Sequence, residues 1–250
     1  MRSVFLEFYK LRRKRIFLMI PLLLSVELAW ACLSVSIALA QHPGEEGVGW
    51  ADIVMTVSSM NGVFLPILSA VIVSRICDME HKGNTWKMLM TASVTRSRLY
   101  AAKYVCAVLL LLFAVILQVV VITAFGAANA FPTQPGEMLL KFIGSAMLTS
   151  LAVVALQQWV SLVVKNQAFA LSLGMFGGFI GLTAGLFPAA IRRFFIWSYY
   201  TGLGPVTYSY ENEIMKFVDN PVHPILPLVA LLTALFVYFA GSIHFGRQDV

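Results

Sequence analysis

The stretch DMEHKGNTWKMLMTASVTRSRLYAAK, residues 78–103, organises the chain because it is a long polar segment, rich in positive charge, between two apolar runs. Within it, Trp86, Leu89 and Met90 recur at the i, i+3 and i+4 spacing of one helix face. The charged residues beside that face are Glu80, Lys82 and Lys87. Two interpretations stay open: a short surface helix that docks a soluble partner, or a basic loop that fixes the orientation of the chain in a membrane.

The composition is that of a membrane protein. Hydrophobic residues make up 59% of the 250 residues, charged residues only 12%, and the mean hydropathy is +0.82. So little polar surface cannot cover a water-soluble globule of this size. We therefore predict an all-α integral membrane protein with a single transmembrane domain over residues 1–250.

Six apolar stretches are long enough to cross a bilayer as helices. A helix rises about 1.5 Å per residue, so about 20 residues cross a hydrocarbon core of about 30 Å. The predicted spans are Ile16–Ala40, Ile53–Ile76, Ala101–Ala128, Met138–Val164, Ala168–Phe187 and His223–Phe245. Six spans return both termini to one side, which we predict to be the cytoplasmic side of the cell membrane.

The basic residues indicate the same orientation. With a cytoplasmic N-terminus, 14 of the 18 Lys and Arg residues fall on the cytoplasmic side, as the positive-inside rule requires. The net charge of +6 therefore reflects topology and does not indicate nucleic-acid binding. The outer side has seven acidic and four basic residues, and is about three charges negative.

Residues 1–15 predict a helix that lies in the plane of the membrane and leads as an elbow into the first span. Its apolar face consists of Met1, Val4, Phe5, Phe8 and Leu11. The alternative is a cleavable signal peptide. The apolar run from Ile16 to Ala40 disfavours that alternative, because it exceeds the roughly 7 to 15 residues of a signal-peptide core.

Two spans carry polar or small residues at membrane depth. The polar set of the second span is Ser58, Ser59, Asn61, Gly62 and Pro66, which we expect to face protein or a hydrated cleft. The glycines of the fifth span are Gly174, Gly177, Gly178, Gly181 and Gly185. Their small-xxx-small spacing allows close helix approach. We predict that Asn61 and these glycines line a dimer interface and transport route; packing within one chain is the alternative.

The 78–103 segment resembles that of a known transporter family. The matching residues are Glu80, Gly83, Trp86, Lys87, Leu89, Val94-Thr95-Arg96, Leu99-Tyr100 and Lys103. They are similar to the E..G..K.L...PVSR..LY..K segment of type 2 ABC-exporter permeases, and most similar to lantibiotic-immunity and bacitracin-type permeases. Ser93 stands where that family usually has proline, which softens the helix break before the third span.

The resemblance implies a mechanism and partners. Residues 78–97 would be a cytoplasmic coupling segment contacted by two copies of a separate ABC ATPase. The contact residues would be Glu80, Gly83, Trp86, Lys87, Leu89 and Met90. The chain would pair with a second, identical or related permease, and residues 188–222 would form short re-entrant outer helices. The cargo would be a lantibiotic-like antimicrobial peptide, expelled to give self-immunity or resistance.

The sequence contains no Gly-x-x-x-x-Gly-Lys-Ser/Thr phosphate loop, no HExxH and no GxSxG motif. We therefore expect no catalytic residue, metal or cofactor in this chain, with ATP and Mg²⁺ bound by the partner ATPase. Two other functions stay open: an ABC exporter of a drug, lipid or ion, and a non-transporting scaffold or sensor that recruits a cytoplasmic partner. A neighbouring gene for an ATPase would favour the exporter.

Several polar side chains are candidates for contact with cargo or between helices. Glu27 lies within the first span, where a carboxylate tends to be paired or to face water. It is a candidate substrate contact, as are Glu211 and Glu213 in the outer segment; for Glu27, a buried hydrogen-bonded carboxyl is the alternative. Three amides are predicted to form interhelical hydrogen bonds: Gln118, Gln157 and Gln158.

Overall fold

Six long apolar helices build the molecule. The computed structural model describes residues 2–12, 15–41, 49–83, 95–132, 135–164, 166–211 and 214–247, without the side chains of 2–3, 12, 79–83, 189–190 and 209–217. The first six helices in chain order are α1 (Arg2–Arg12), α2 (Ile16–Gln41), α3 (Trp50–Gly83), α4 (Arg96–Ala128), α5 (Gly136–Val163) and α6 (Gln167–Thr183). After them come α7 (Ala189–Arg192), α8 (Tyr199–Gly202), β1 (Val206–Glu211), β2 (Ile214–Asp219) and α9 (Ile225–Arg247). Two 3₁₀ turns occupy Ala184–Leu186 and Ile196–Ser198.

Helices α2 to α6 and α9 are each long and apolar enough to cross a membrane. This confirms the predicted all-α integral membrane protein with six spans. The bundle has a terminal end, which holds α1 and the end of α9, and an opposite far end, which holds the hairpin β1–β2. Arg96 at the start of α4 reaches the carbonyl of Gly246 in the last turn of α9, which places both chain termini at the same end.

The helices differ from the predicted spans mainly at the terminal end. Helix α3 continues to Gly83, beyond the predicted end at Ile76, and α4 begins at Arg96 rather than Ala101. Hydropathy marks where a helix leaves the apolar layer, whereas the helix itself continues through polar residues with good helix propensity. Helix α4 begins where it does because Thr95 caps it, accepting a hydrogen bond from the backbone N–H of Arg98.

Helix α3 is the central helix, and α2, α4, α5 and α6 all pack against it. Its closest contact is with α6, through residues without bulky side chains. Gly178 approaches Val63 so closely that an added Cβ would lie 3.0 Å from the Val63 carbonyl oxygen. A Cβ at Gly181 would overlap the carbonyl group of Gly62. We call this contact, formed by Gly62, Val63, Ala70, Gly174, Gly178 and Gly181, the glycine seam.

The predicted outer segment 188–222 contains the short helices α7 and α8, and also an antiparallel hairpin that we did not predict. The register pairs Val206 with Asp219 and Glu211 with Ile214. Asn220 closes the base of the hairpin by donating to the carbonyl oxygens of Gly202 and Gly204. That the short helices re-enter a membrane stays a prediction.

The segment between α6 and the hairpin reaches into the bundle. Tyr200 is fully buried, and its hydroxyl lies 3.0 Å from the Ser150 hydroxyl of α5. Trp197 packs directly on Gly177 of α6, where any larger residue would overlap the indole. The aromatic residues of this segment therefore fill space among α3, α5 and α6, and fix the segment to α5 and α6.

The glycine seam predicts a strong position dependence for adding one methyl group. We expect Gly181→Ala to destabilise the protein by about 1–3 kcal/mol, because the new Cβ forces α3 and α6 apart in a packed interface. Gly185→Ala is the matched control, since nothing lies within 4 Å of its Cβ position. Thermal unfolding in detergent measures both variants. Equal unfolding temperatures for the two variants would contradict the close packing.

Candidate coupling site at the terminal end

A buried ion pair joins three elements at the terminal end. Lys103 of α4 donates to Glu7 of α1 over 3.1 Å, and the two side chains are only 1% and 2% exposed. The same ammonium donates to the carbonyl oxygen of Ile76 in α3 over 3.2 Å. Glu7 uses its other carboxylate oxygen to accept from Lys10 over 2.9 Å. We call the group Glu7, Lys10, Ile76 and Lys103 the clasp.

The two central charges of the clasp, on Lys103 and Glu7, depend on each other because neither side chain is accessible to water. Burying an ammonium or a carboxylate costs several kcal/mol unless an opposite charge and further hydrogen bonds compensate. Lys103 has both, from the Glu7 carboxylate and the Ile76 carbonyl oxygen. While the helices stay packed, losing either charge would leave the other buried without compensation, so the pair ties α1 and α4 to each other and to the end of α3.

The residues that precede Lys103 extend this unit to the rest of the bundle. Leu99 and Tyr100 are buried, and the Tyr100 carbonyl oxygen accepts a hydrogen bond from Gln158 of α5 over 2.9 Å. The Tyr100 ring lies edge-on to Tyr238 of α9, with 5.4 Å between ring centroids. The spacing Leu99-Tyr100-x-x-Lys103 thus serves the contact of α4 with four other helices.

The predicted ATPase contact lies directly beside the clasp along the chain. Residues 84–94 connect the end of α3 to Thr95, the cap of α4. Glu80 and Gly83 belong to the last turns of α3, whereas Trp86, Lys87, Leu89 and Met90 lie outside the described residues. Both helices that leave this connection are fixed to the clasp, one through the Ile76 carbonyl oxygen and the other through Lys103.

A second buried polar group lies midway through the bundle. Gln118 of α4 donates to Glu27 of α2 over 3.0 Å and to Asn61 of α3 over 2.7 Å. All three side chains are at most 1% exposed. For Glu27 the structure therefore shows the alternative interpretation, a buried carboxyl hydrogen-bonded between helices, and this chain alone offers a cargo no access to it. A role in cargo contact stays a prediction.

The three amides form the interhelical hydrogen bonds predicted for them. Gln118 joins α4 to α2 and α3, and Gln158 joins α5 to α4. Gln157 donates to the carbonyl oxygen of Ala170 in α6. The polar set of the second span also faces protein, since Ser58 and Asn61 are buried. These contacts confirm the interpretation of the polar residues at membrane depth as helix-packing groups.

The glycines predicted for a dimer interface separate into two groups. Gly174, Gly178 and Gly181 pack against α3 of the same chain, and Gly177 packs against Trp197. Gly185 has open space beside it. Packing within one chain, the alternative left open by the sequence, thus accounts for four of the five glycines. Whether a second permease contacts Asn61, Gly185 or the neighbouring glycines stays a prediction.

Of the two acidic candidates in the outer segment, Glu211 belongs to the hairpin. Glu211 ends β1, and its side chain is outside the described part of the structure; Glu213 lies outside the described residues altogether. Among the acidic residues that are described at the far end, Asp219 and Glu137 are exposed, and Glu137 pairs with Lys141 over 2.8 Å. In the described parts of the chain, no three His, Cys, Asp or Glu side chains converge as metal ligands.

Sequence analysis missed Glu7, although the sequence contains a signal for it. Glu7 lies four residues before Leu11, and both side chains are buried on the same face of α1. An acidic residue on the buried side of an amphipathic helix requires a partner, and Lys103 is a basic residue inside the predicted third span, Ala101–Ala128. The pairing joins residues 96 positions apart, which the local pattern could not reveal.

Comparison with known proteins gives one family. The sequence model described as ABC-2 family transporter protein matches residues 3–181, which include α1, the clasp and the glycine seam. Comparison with curated proteins finds no match.

The clasp predicts that replacing the buried Lys103 lowers the free energy of unfolding more than replacing the exposed Lys141. We expect Lys103→Met to destabilise the protein by about 3–5 kcal/mol, because Glu7 loses the partner that compensates its burial. In the double variant Lys103→Met with Glu7→Leu, much of the lost stability should be recovered, because no unpaired buried charge remains. Lys141→Met is the matched control: its pair with Glu137 is exposed to solvent, so we expect a far smaller loss of stability. Chemical unfolding in detergent checks the series, and equal losses for the two lysines would refute the clasp.

Proposed function

We propose that this chain, which belongs to the ABC-2 family of transporter proteins, expels a lantibiotic-like antimicrobial peptide from the membrane and so gives self-immunity or resistance. The family shows the coarser function: the chain is a permease subunit of an ABC exporter, a membrane component that works with an ABC ATPase and is not an ATPase itself. The identity of the cargo rests on the resemblance of the 78–103 segment to lantibiotic-immunity and bacitracin-type permeases.

The observation that carries the proposed mechanism is the clasp. A motor that pushes on residues 78–97 acts on the connection between α3 and α4, and both of those helices are tied to α1 by Lys103. Without the clasp, force on the connection could be absorbed by local bending of either helix end. With it, α1 and the ends of α3 and α4 move together.

The glycine seam extends the movement to the far end. Because α3 and α6 contact each other through backbone atoms, a shift of α3 along or around its axis displaces α6. Trp197, seated on Gly177, moves with α6 and carries the segment that precedes the hairpin. In this mechanism ATP and Mg²⁺ bind to two copies of the partner ATPase, and this chain contributes no cofactor site.

Pairing with a second permease would use the apolar face of α6 that the seam leaves free. Met175, Phe176 and Phe179 are each about 60% exposed on that face, and Gly185 follows at its far end. An apolar face of this kind can contact either lipid or a second membrane helix. The resemblance to permeases that pair supports contact with a helix of a second permease. The exposed acidic residues of the far end, Asp219 and Glu137, supply a first electrostatic contact for a cationic peptide.

The coupling role of residues 78–97 predicts a loss of ATPase association in two variants. We expect Trp86→Ala to remove an apolar contact with the ATPase, and Gly83→Pro to break the last turn of α3. Both should abolish copurification of the co-expressed ATPase while the permease still inserts into membranes. Trp30→Ala is the matched control, since Trp30 is 60% exposed within α2, far from the connection. Undiminished copurification with both variants would remove the coupling role.

The proposed cargo predicts a selective phenotype. We expect deletion of the gene to sensitise cells to a cationic, membrane-acting peptide and to leave their sensitivity to small drugs unchanged. Growth inhibition across a panel of peptides and drugs measures this, with cells complemented by the intact gene as the control. Equal shifts for peptides and drugs would reject the peptide assignment, and no shift for any compound would favour a scaffold or sensor.

A further inference from the structure

Two grooves at the far end of the bundle meet between α5 and the hairpin. One, of about 330 Å³, lies beside the first turns of α5 and is lined by Glu137, Lys141, Pro205 and Asp219 among others. The other, of about 480 Å³, runs along α5 and is lined by Lys141, Gly144, Leu148, Pro205, Val222 and Pro227 among others. Lys141 and Pro205 line both grooves, so the two grooves adjoin there.

The two adjoining grooves, which we treat as two parts of one groove, differ in chemistry. The part at the start of α5 holds two carboxylates, Glu137 and Asp219, and the ammonium of Lys141, which pairs with Glu137 over 2.8 Å. The second part is largely apolar. On α5 its lining residues recur at i, i+3, i+4 and i+7, which makes one helix face: Lys141, Gly144, Ser145 and Leu148.

The direction of this change matches the direction of a membrane. Lys141 lies about 8 Å along the axis from the first residue of α5, and Leu148 lies about 18 Å from it, at about 1.5 Å per residue. The charged part is therefore at the end of a spanning helix and the apolar part extends toward its middle. Gly144 widens the groove between them, because nothing lies within 4 Å of its Cβ position.

We propose that this groove binds one phospholipid with a zwitterionic headgroup that carries a primary ammonium, as in phosphatidylethanolamine. Lys141 contacts the phosphate, Glu137 and Asp219 accept hydrogen bonds from the ammonium, and one acyl chain lies past Gly144 against Leu148 and Pro227. An apolar groove on a membrane helix is filled by acyl chain, since an empty one would lose dispersion contacts on one side. The site links α5, the hairpin and the start of α9.

The charges select the headgroup. Two carboxylates and one ammonium leave a net charge of about −1, which opposes an anionic lipid such as phosphatidylglycerol. A quaternary ammonium, as in phosphatidylcholine, donates no hydrogen bond to a carboxylate and is typically held by aromatic rings. The groove lining, as far as the structure describes it, offers carboxylates and aliphatic groups instead.

Native mass spectrometry tests the site on the full chain purified in mild detergent. The protein is incubated with equimolar phosphatidylethanolamine, phosphatidylglycerol and phosphatidylcholine of identical acyl chains, and the retained lipids are counted. We expect one phosphatidylethanolamine to be retained in preference to the other two. Equal retention of the three lipids, or preference for phosphatidylglycerol or phosphatidylcholine, would overturn the assignment.

Substitutions separate the groove from general lipid binding. Gly144→Leu adds a side chain to the groove at a position where nothing lies within 4 Å of the Cβ, and should lower phosphatidylethanolamine retention about tenfold. Gly246→Leu is the matched control, because Gly246 has equally open surroundings at the terminal end. Glu137→Gln combined with Asp219→Asn leaves Lys141 alone and should reverse the preference toward phosphatidylglycerol. Unchanged retention in Gly144→Leu, or an unchanged preference in the double variant, would overturn the proposal. Melting temperatures of the lipid-free variants confirm that each is folded.

Discussion

The cost of burying charge in an apolar environment governs the terminal end of this permease. Lys103 and Glu7 are both almost completely buried, and each is tolerable there only because the other is present. A lysine on α4 therefore dictates where α1 lies, and its second hydrogen bond, to the Ile76 carbonyl oxygen, dictates where α3 ends relative to both. Helix α1 therefore has one defined position on the bundle, and its placement in the plane of a membrane stays a prediction.

The same logic operates with different chemistry farther along the bundle. Midway, Gln118 uses its amide N–H groups to satisfy oxygen atoms of Glu27 and Asn61, so α2, α3 and α4 share one buried polar group. Between α3 and α6, the absence of side chains has the equivalent effect, since backbone contacts at the glycine seam leave little freedom to slide. Helix α3 takes part in all three connections. It is the element through which a displacement at the terminal end can reach the segment around Trp197.

Much of this fold could be predicted because membrane thickness sets helix length, and six apolar runs of sufficient length are plain in the sequence. The motif ending in Lys103 was also visible, but its role was not, because its partner Glu7 is far away along the chain. The hairpin was missed although Val206-Thr207-Tyr208 and Phe217-Val218 carry β-branched and aromatic residues. The resemblance led us to expect short re-entrant helices over residues 188–222, and that expectation left the strand signal unused. The end of α3 was misplaced because hydropathy reports the apolar layer and not the hydrogen-bonded helix.

The proposed coupling requires that α1 and the start of α4 move as one body when the partner ATPase acts. Spin labels at Tyr9→Cys and Arg98→Cys, both exposed positions, report the distance between these helices in a background without Cys32, Cys77 and Cys106. Double electron–electron resonance on the assembled transporter should give one narrow distance distribution, the same in the ATP-free and ATP-bound states. The distribution should broaden when Lys103→Met is added. A distance that changes between the two states in the protein with Lys103 intact, or a distribution that Lys103→Met leaves unaltered, would contradict it.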